Sequence, residues 1–136
     1  MKIKLDPGAY MPERAHDTDA GLDLRSPVEA TILPGHSVTI DTGVHVALPE
    51  STVGMVKSKS GLNRFCGIQT EGVVDEGFTG SICVTMYNHS QTRYQVHAGD
   101  KITQLVIHHV LKPDLELVDH LDETERGSGG FGSTGR

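Results

Sequence analysis

The sequence predicts an all-β fold of the sandwich or jelly-roll type, and three observations lead to this prediction. Short segments of alternating or β-branched residues recur along the chain. Glycine and proline separate these segments, and no segment carries a sustained helical period. The chain has no Trp and only three Phe and three Tyr, so its core must consist mainly of Val, Ile and Leu, which favour strands. The absence of alternating helices argues against a doubly wound sheet.

The predicted strands follow one another at close spacing. The chain opens with alternating polar and apolar residues, and the clearest strand segments are residues 31–41, 44–48, 53–57, 81–88 and 102–110. Turn residues separate them at Pro34-Gly35, Pro49-Glu50, Ser60-Gly61, Glu76-Gly77 and Ala98-Gly99-Asp100. The pattern stops after Leu121. We therefore expect residues 1–121 to form one β domain and residues 122–136 a mobile glycine-rich arm.

Composition excludes several classes of partner. The 136 residues suit a single domain, and the formal charge of −6 repels duplex nucleic acid. No apolar run is long enough to span a bilayer, and the N-terminus has no secretory signal. Cys66 and Cys83 form no CxxC pair, and the eight His form no metal signature. The sequence predicts a cytoplasmic protein with free thiols and no membrane partner.

Two segments place a polar side chain in an apolar strand. In DAGLDL, residues 19–24, Asp23 lies between two leucines, so its carboxylate points away from the apolar face and can orient a metal-bound water. In GDKITQLV, residues 99–106, Gln104 is an amide among apolar neighbours and needs hydrogen-bond partners if it points inward. Each pattern taken alone also fits an ordinary strand.

Two other segments combine a turn with charge. In KSKSGL, residues 57–62, a strand runs into a turn with two cations, two hydroxyls and a glycine, which can hold a phosphate. In GVVDEGFTG, residues 72–80, Asp75 follows an apolar strand end, where partial desolvation can tune a general base. The alternatives are a plain polar turn in the first segment, and in the second an Asp-containing β-turn with Phe78 in the core.

The C-terminal tail contains a formal G-x-G-x-x-G at residues 127–132, but only four residues follow it. It therefore cannot open the helix that a dinucleotide-binding fold requires. Its backbone N–H groups can still converge on an anion, and Arg126 supplies a planar fork for phosphate oxygens. A flexible, solvated chain end is the alternative interpretation.

Taken together and in order, five segments resemble the five motifs of the trimeric dUTPase family and span nearly the whole chain. They are DAGLDL at 19–24, KSGL at 59–62, GVVD at 72–75, GDKITQL at 99–105 and RGSGGFGSTG at 126–135. The resemblance implies a jelly-roll-like distorted barrel of the β-clip type and a homotrimer. It also implies Mg²⁺ as cofactor and hydrolysis of dUTP to dUMP and pyrophosphate, which sanitises the nucleotide pool and supplies dUMP. The sites would lie between subunits, and the arm of one chain would close over a site built by its neighbours.

The resemblance also implies residue roles. Asp75 would be the general base for water attack on the α-phosphorus, Arg126 would stabilise charge on the phosphates, and Asp23 would hold Mg²⁺ through water. The hairpin expected from Gln69 to Val74 would present backbone groups to uracil. The implied substrate-binding residues are Lys59, Ser60, Gly61 and Gln104 at the phosphates, Gln69, Gly72 and Val74 at uracil, Phe78 at the deoxyribose, and Phe131, Gly132, Ser133 and Thr134 on the arm.

Three positions depart from the family pattern. Lys59 stands where Arg is usual, Phe78 where Tyr is usual, and Gly77 where Asp is frequent.

Two other functions are alternatives to dUTP hydrolysis. A dCTP deaminase has the same fold but carries a Glu where this chain has Thr85, and a noncatalytic nucleotide-binding module would not need Asp75.

Overall fold

The computed structural model describes residues 1–130 and confirms the all-β prediction. The strands are β1 (Lys2–Leu5), β2 (Gly21–Arg25), β3 (Ala30–Ile32), β4 (Ser37–Asp41), β5 (Val44–Ala47), β6 (Thr52–Lys57), β7 (Ile68–Val74), β8 (Cys83–Asn88), β9 (Tyr94–Val96) and β10 (Lys101–His109). A helix, α1 (Ser60–Cys66), lies between β6 and β7. Within the described residues no helix is long and apolar enough to cross a membrane.

The strands form one large curled sheet and two small ribbons. The six-stranded sheet has the order β2-β10-β6-β7-β8-β4, and β1-β5 and β3-β9 form the two-stranded sheets. Every pairing is antiparallel. The sheet curls into a half-barrel, which is the jelly-roll-like architecture that the resemblance implies.

The core consists mostly of aliphatic residues and draws on strands of all three sheets. Leu24, Val44, Met86, Val96 and Leu105 have no exposed surface. Period-two alternation explains their burial, because successive side chains of a strand point to opposite faces. The prediction of a core built mainly from Val, Ile and Leu is confirmed.

Helix α1 was not predicted, and its packing explains why. None of its residues is buried, so its sequence carries no helical period in apolar residues. Its N-cap, Lys59, makes no side-chain capping bond, and the helix ends at Gly67, which adopts the left-handed conformation. A helix of seven residues is too short to be stable alone, so the strands that flank it must hold it in place.

A second expectation was wrong: residues 69–74 do not form a hairpin. They belong to the single strand β7, which pairs with β8 from Ile68 to Thr70 and with β6 from Glu71 to Val74. The strand thus changes its partner near its middle. Beyond Thr70 the edge of β7 that faces β8 is no longer paired with it.

Candidate active site

A depression beside α1 gathers four of the predicted phosphate-binding residues. Its volume is about 380 Å³. Its lining residues are Lys59, Ser60, Gly61, Leu62, Phe65, Cys66, Lys101 and Gln104. Two lysines, a hydroxyl and an amide therefore surround this open depression, which we call the cationic hollow, and this set of groups suits a small anion.

Asp23 lies at the floor of this cationic cluster and is only 8% exposed. Its carboxylate forms ion pairs with Lys59 and, at 2.9 Å, with the Nζ atom of Lys101. Burial disfavours the charged form, but the hydrogen bonds from Lys59 and Lys101 outweigh it and hold the pKa of the Asp23 carboxyl below its usual range. Asp23 therefore stays ionised and holds both lysines next to the hollow.

The sheet register brings Asp23 and Gln104 together. Gln104 of β10 lies opposite Asp23 of β2 on one side and opposite Lys57 of β6 on the other. Its Nε2 atom donates to the Ser58 carbonyl at 3.2 Å. A β-carbon at Gly21 would lie 2.2 Å from Gln104 Oε1, so only glycine at that position leaves room for the amide.

A second depression lies where β7 and β8 diverge. It has a volume of about 250 Å³. Its lining residues are Val56, Gly72, Val73, Val74, Phe78, Ser81, Ile82 and Cys83. Asp75 follows directly after Val74 and is exposed, and its carbonyl accepts a hydrogen bond from the Phe78 amide at 3.1 Å. Phe78 is 46% exposed, so it is not in the core, contrary to the alternative interpretation of this turn.

The two depressions share no residue, and within one chain they lie at separate places on the sheet. Gln104 is aligned through Lys57 with Glu71 of β7, and Asp75 lies just beyond the far end of that strand. At about 3.3 Å per residue and about 4.8 Å between strands, the backbones of Asp75 and Gln104 are roughly 16 Å apart. The two side chains of one chain therefore cannot contact the same phosphate.

Gln69 and Arg126 do not line either depression. Gln69 is exposed and lines a third hollow together with Lys57, Asn63 and Glu71. Arg126 is exposed, and its Nε atom donates to the Gly129 carbonyl at 3.0 Å within the tail. Phe131, Gly132, Ser133 and Thr134 lie outside the described residues.

Lys101 and Glu13, two residues without a predicted role, complete the charge network. Lys101 contacts Glu13 at 3.3 Å as well as Asp23, and Glu13 accepts a hydrogen bond from Arg25 at 2.5 Å. Two cations near Glu13, first Arg25 and then Lys101, lower the pKa of its carboxyl. Glu13 joins β2 only through an isolated bridge to Asp23, so no local pattern in the sequence indicates this network.

The fold and the cationic hollow define a small β protein with a candidate site for an anionic ligand. A family model described as dUTPase matches residues 8–135. The deoxyuridine 5'-triphosphate nucleotidohydrolase of Gloeothece citriformis is 42% identical, and the match covers 99% of this chain and 97% of that protein. The enzyme of the same name from Clostridium tetani is also 42% identical, over 100% of this chain and 97% of its own length.

Solved structures agree with the sequence relatives. A mutant dUTPase of Staphylococcus bacteriophage 80alpha with dUpNHpp superposes with a TM-score of 0.93 at 29% identity, covering 99% of this chain and 98% of that chain. A mutant dUTPase of phage phi11 of S. aureus, described as coordinating a structural Mg(II) ion, has a TM-score of 0.83 at 28% identity over 90% of this chain and 98% of that one. The chain belongs to the dUTPase family.

Proposed function

We propose that the protein hydrolyses dUTP to dUMP and pyrophosphate, and that it does so as a homotrimer with sites between its chains. The observation that carries this proposal is the division of the predicted residues between two hollows that one chain holds apart. A neighbouring copy can bring the hollow beside Asp75 of one chain to the cationic hollow of another. The names of the relatives and the dUpNHpp bound to a phage neighbour support dUTP as the substrate.

Uracil would bind where β7 and β8 diverge. The edge of β7 beyond Thr70 no longer pairs with β8, so its N–H and C=O groups can pair with the edge of a pyrimidine. Gly72 and Val74 line this hollow, and close contact of their backbone groups with the pyrimidine edge would leave no room for a 5-methyl group. Phe78 at the rim would pack against the deoxyribose and exclude a 2′-hydroxyl.

Asp75 would act as the general base. It is an exposed carboxylate at the end of β7, directly beside the proposed uracil hollow, where it can reach a water near the α-phosphate. Asp75 would accept a proton as the water oxygen forms a bond to the α-phosphorus. The bond from that phosphorus to the bridging oxygen would break, and pyrophosphate would leave with the electron pair.

The triphosphate would lie in the cationic hollow of a neighbouring chain. Lys59 would offset its charge, while Ser60, Gly61 and Gln104 would donate hydrogen bonds to phosphate oxygens. Because Lys59 is already paired with Asp23, that carboxylate keeps the lysine oriented before the substrate arrives.

Mg²⁺ fits these residues as an ion carried mainly by the substrate. Within residues 1–130 no group of three His, Cys, Asp or Glu could hold a metal, and Asp23 already contacts two lysines. Mg²⁺ usually keeps several waters and needs only one or two carboxylates beside substrate phosphates, so Asp23 would hold it through water. When bound, Mg²⁺ would offset phosphate charge and orient the chain of phosphates.

The arm of residues 122–136 would close over the site of a neighbouring copy. Arg126 would stabilise phosphate charge, Phe131 would stack on uracil, and Gly132, Ser133 and Thr134 would reach the γ-phosphate. The segment that leads to the arm has exposed apolar side chains, since Leu111, Leu115 and Leu117 are each more than 90% exposed. Such side chains support docking of this segment on another chain.

Two assays test the proposed function. Pyrophosphate release from dUTP with Mg²⁺ should be rapid, whereas ammonia release from dCTP should be absent; the opposite result would indicate a deaminase. Co-expression of Asp75→Asn chains with Gln104→Ala chains tests the shared site, since each variant alone should keep about a tenth of the wild-type activity or less. Random mixing should restore about a quarter of the sites, while sites confined to one chain would recover no activity.

A further inference from the structure

His45 bridges the N-terminal segment and the turn that carries Phe78. Its Nε2 atom lies 2.9 Å from Asp6 Oδ2, and its Nδ1 atom lies 2.8 Å from the Thr79 carbonyl oxygen. The ring belongs to β5 and is only 17% exposed. It therefore connects two loops that are far apart in the sequence.

The chemistry of these contacts fixes the protonation of the ring. A carbonyl oxygen only accepts hydrogen bonds, and so does an ionised carboxylate. Both ring nitrogens must therefore donate, which requires the imidazolium form. Asp6 is held in place by its own amide, which donates to the Gly43 carbonyl at 2.9 Å, and by Lys4 at 3.0 Å.

The two contacts of His45, with Asp6 and with Thr79, form a tether between the N-terminal segment and the Phe78 turn. Because Thr79 follows directly after Phe78, this tether acts on the aromatic ring. A β-carbon at Gly80 would lie 2.6 Å from Phe78 Cζ, which shows how closely the ring folds over the next turn. Other anchors hold the ends of the loop: Glu76 accepts from the Ser51 amide at 3.1 Å, and Ser81 bonds to Asp41. His45 bonds to the residue that directly follows Phe78.

We propose that His45, fixed by Asp6, is a positioning residue for Phe78 and thereby sets discrimination against the 2′-hydroxyl of ribonucleotides. The proposal rests on the proposed function, in which Phe78 packs against the deoxyribose. Without the tether the Phe78 turn can move away from the sugar, which makes room for UTP. Asp75 at the start of the turn is fixed by β7, so the KM for dUTP should change more than kcat.

The tether depends on pH in a defined direction. The hydrogen bond to Asp6, and then that to the Thr79 carbonyl, raise the pKa of His45 above its ordinary value of 6.5, although burial opposes this. The charged groups facing the ring are Asp6, Lys4 and Asp41. Both contacts exist below the raised pKa. Above it the ring keeps one N–H, which donates to the ionised carboxylate of Asp6 in preference to the neutral carbonyl, so the contact with Thr79 is lost.

Matched substitutions separate the two contacts. The amide nitrogen of Asn occupies roughly the place of Nδ1, so His45→Asn keeps a donor for Thr79, whereas the longer His45→Gln keeps one for Asp6. His45→Leu removes both. His36→Asn serves as the control, because the Nδ1 atom of His36 contacts a carbonyl oxygen of its own turn, that of Pro34, at 2.9 Å.

The measured quantity is the ratio of kcat/KM for dUTP to that for UTP between pH 6 and pH 9. We expect the ratio to fall about tenfold in His45→Leu and His45→Gln, which corresponds to one hydrogen bond. His45→Asn should keep most of the ratio and lose its pH dependence, and His36→Asn should match the wild type. A ratio that is equal in all variants, or a wild-type ratio independent of pH, would overturn the proposal.

A second measurement does not depend on catalysis. In the substrate-free protein, ¹⁵N chemical shifts of the His45 ring should report two protonated nitrogens at pH 6, and the Gly80 amide should follow the titration of His45. A neutral ring at pH 6 would refute the tether even in an active enzyme. If the wild type does not hydrolyse dUTP, the proposed function fails, while the ring shifts still decide whether the tether exists.

Discussion

The side-chain oxygen of Gln104 lies over Gly21 so closely that a β-carbon there would approach it to 2.2 Å. Gly21→Ala should therefore displace the Gln104 amide from the cationic hollow. A lost hydrogen bond to a charged phosphate should lower kcat/KM for dUTP about 10-fold to 100-fold. Steady-state kinetics with dUTP and Mg²⁺ check this expectation.

The control for this prediction is a double-mutant cycle. If Gly21 acts through Gln104, then Gly21→Ala should have little further effect in a Gln104→Ala background. Additive losses in the double mutant would mean that the new methyl group acts on β2 itself.

Asp75→Asn tests the general base. The amide has nearly the shape of the carboxylate but does not accept the proton of the attacking water, so dUTP binding should persist while kcat falls by about 10²–10⁴-fold. Isothermal titration with dUpNHpp and single-turnover kinetics measure the two effects separately.

The neighbouring acid provides a matched control for Asp75→Asn. Glu76 bonds to Lys112 and to the Ser51 amide, and these contacts, that with Lys112 first, hold its pKa below the ordinary value. Glu76→Gln should therefore lower the unfolding temperature and leave kcat nearly unchanged. A loss of turnover equal to that of Asp75→Asn would remove the special role of Asp75.

Much of the fold follows from the sequence because strands carry a local signal. Period two predicted the burial of Leu22 and Leu24 on the face opposite to Asp23. The predicted strand segment 31–41 was wrong in its bounds, because the turn at Pro34-Gly35 divides it into β3 and β4. Helix α1 escaped prediction because it buries no residue. The single strand β7 was not predicted, because its change of pairing partner depends on strands that are distant in the sequence.

The site is predictable from sequence only as a set of residue types. Asp23 beside leucines indicated an outward carboxylate, but nothing local indicated that Lys59 and Lys101 would both pair with it. The separation of Asp75 from Gln104 follows from the order β10-β6-β7, which is a property of the folded sheet. The roles of the residues come from the resemblance to the dUTPase family, and their relative positions come from the strand register.

Truncation after Leu121 tests the arm. Apart from the half-buried Gly129, the removed residues within the described range are exposed, and they belong to no strand or helix, so the unfolding temperature should shift by less than about 3 °C. Loss of Arg126 from the reacting phosphates should lower kcat/KM by at least about 100-fold. Calorimetry and kinetics on the same preparation check both parts, with Arg126→Ala in the full chain as the comparison. An unchanged rate would exclude the arm from the reaction.

The ion pair between His45 and Asp6 should stabilise the fold only within a limited range of pH. The pKa of His45 is raised above 6.5, so its contribution is complete below that value and is lost as the pH rises through the folded pKa. The pKa of Asp6, lowered first by His45, gives a contribution that is present above 3.8 and lost as the pH falls through the folded value. The difference in denaturation midpoint between wild type and His45→Leu should therefore be largest between these two values. Measured at one chain concentration, a difference independent of pH would mean that the ring stabilises by packing rather than by charge.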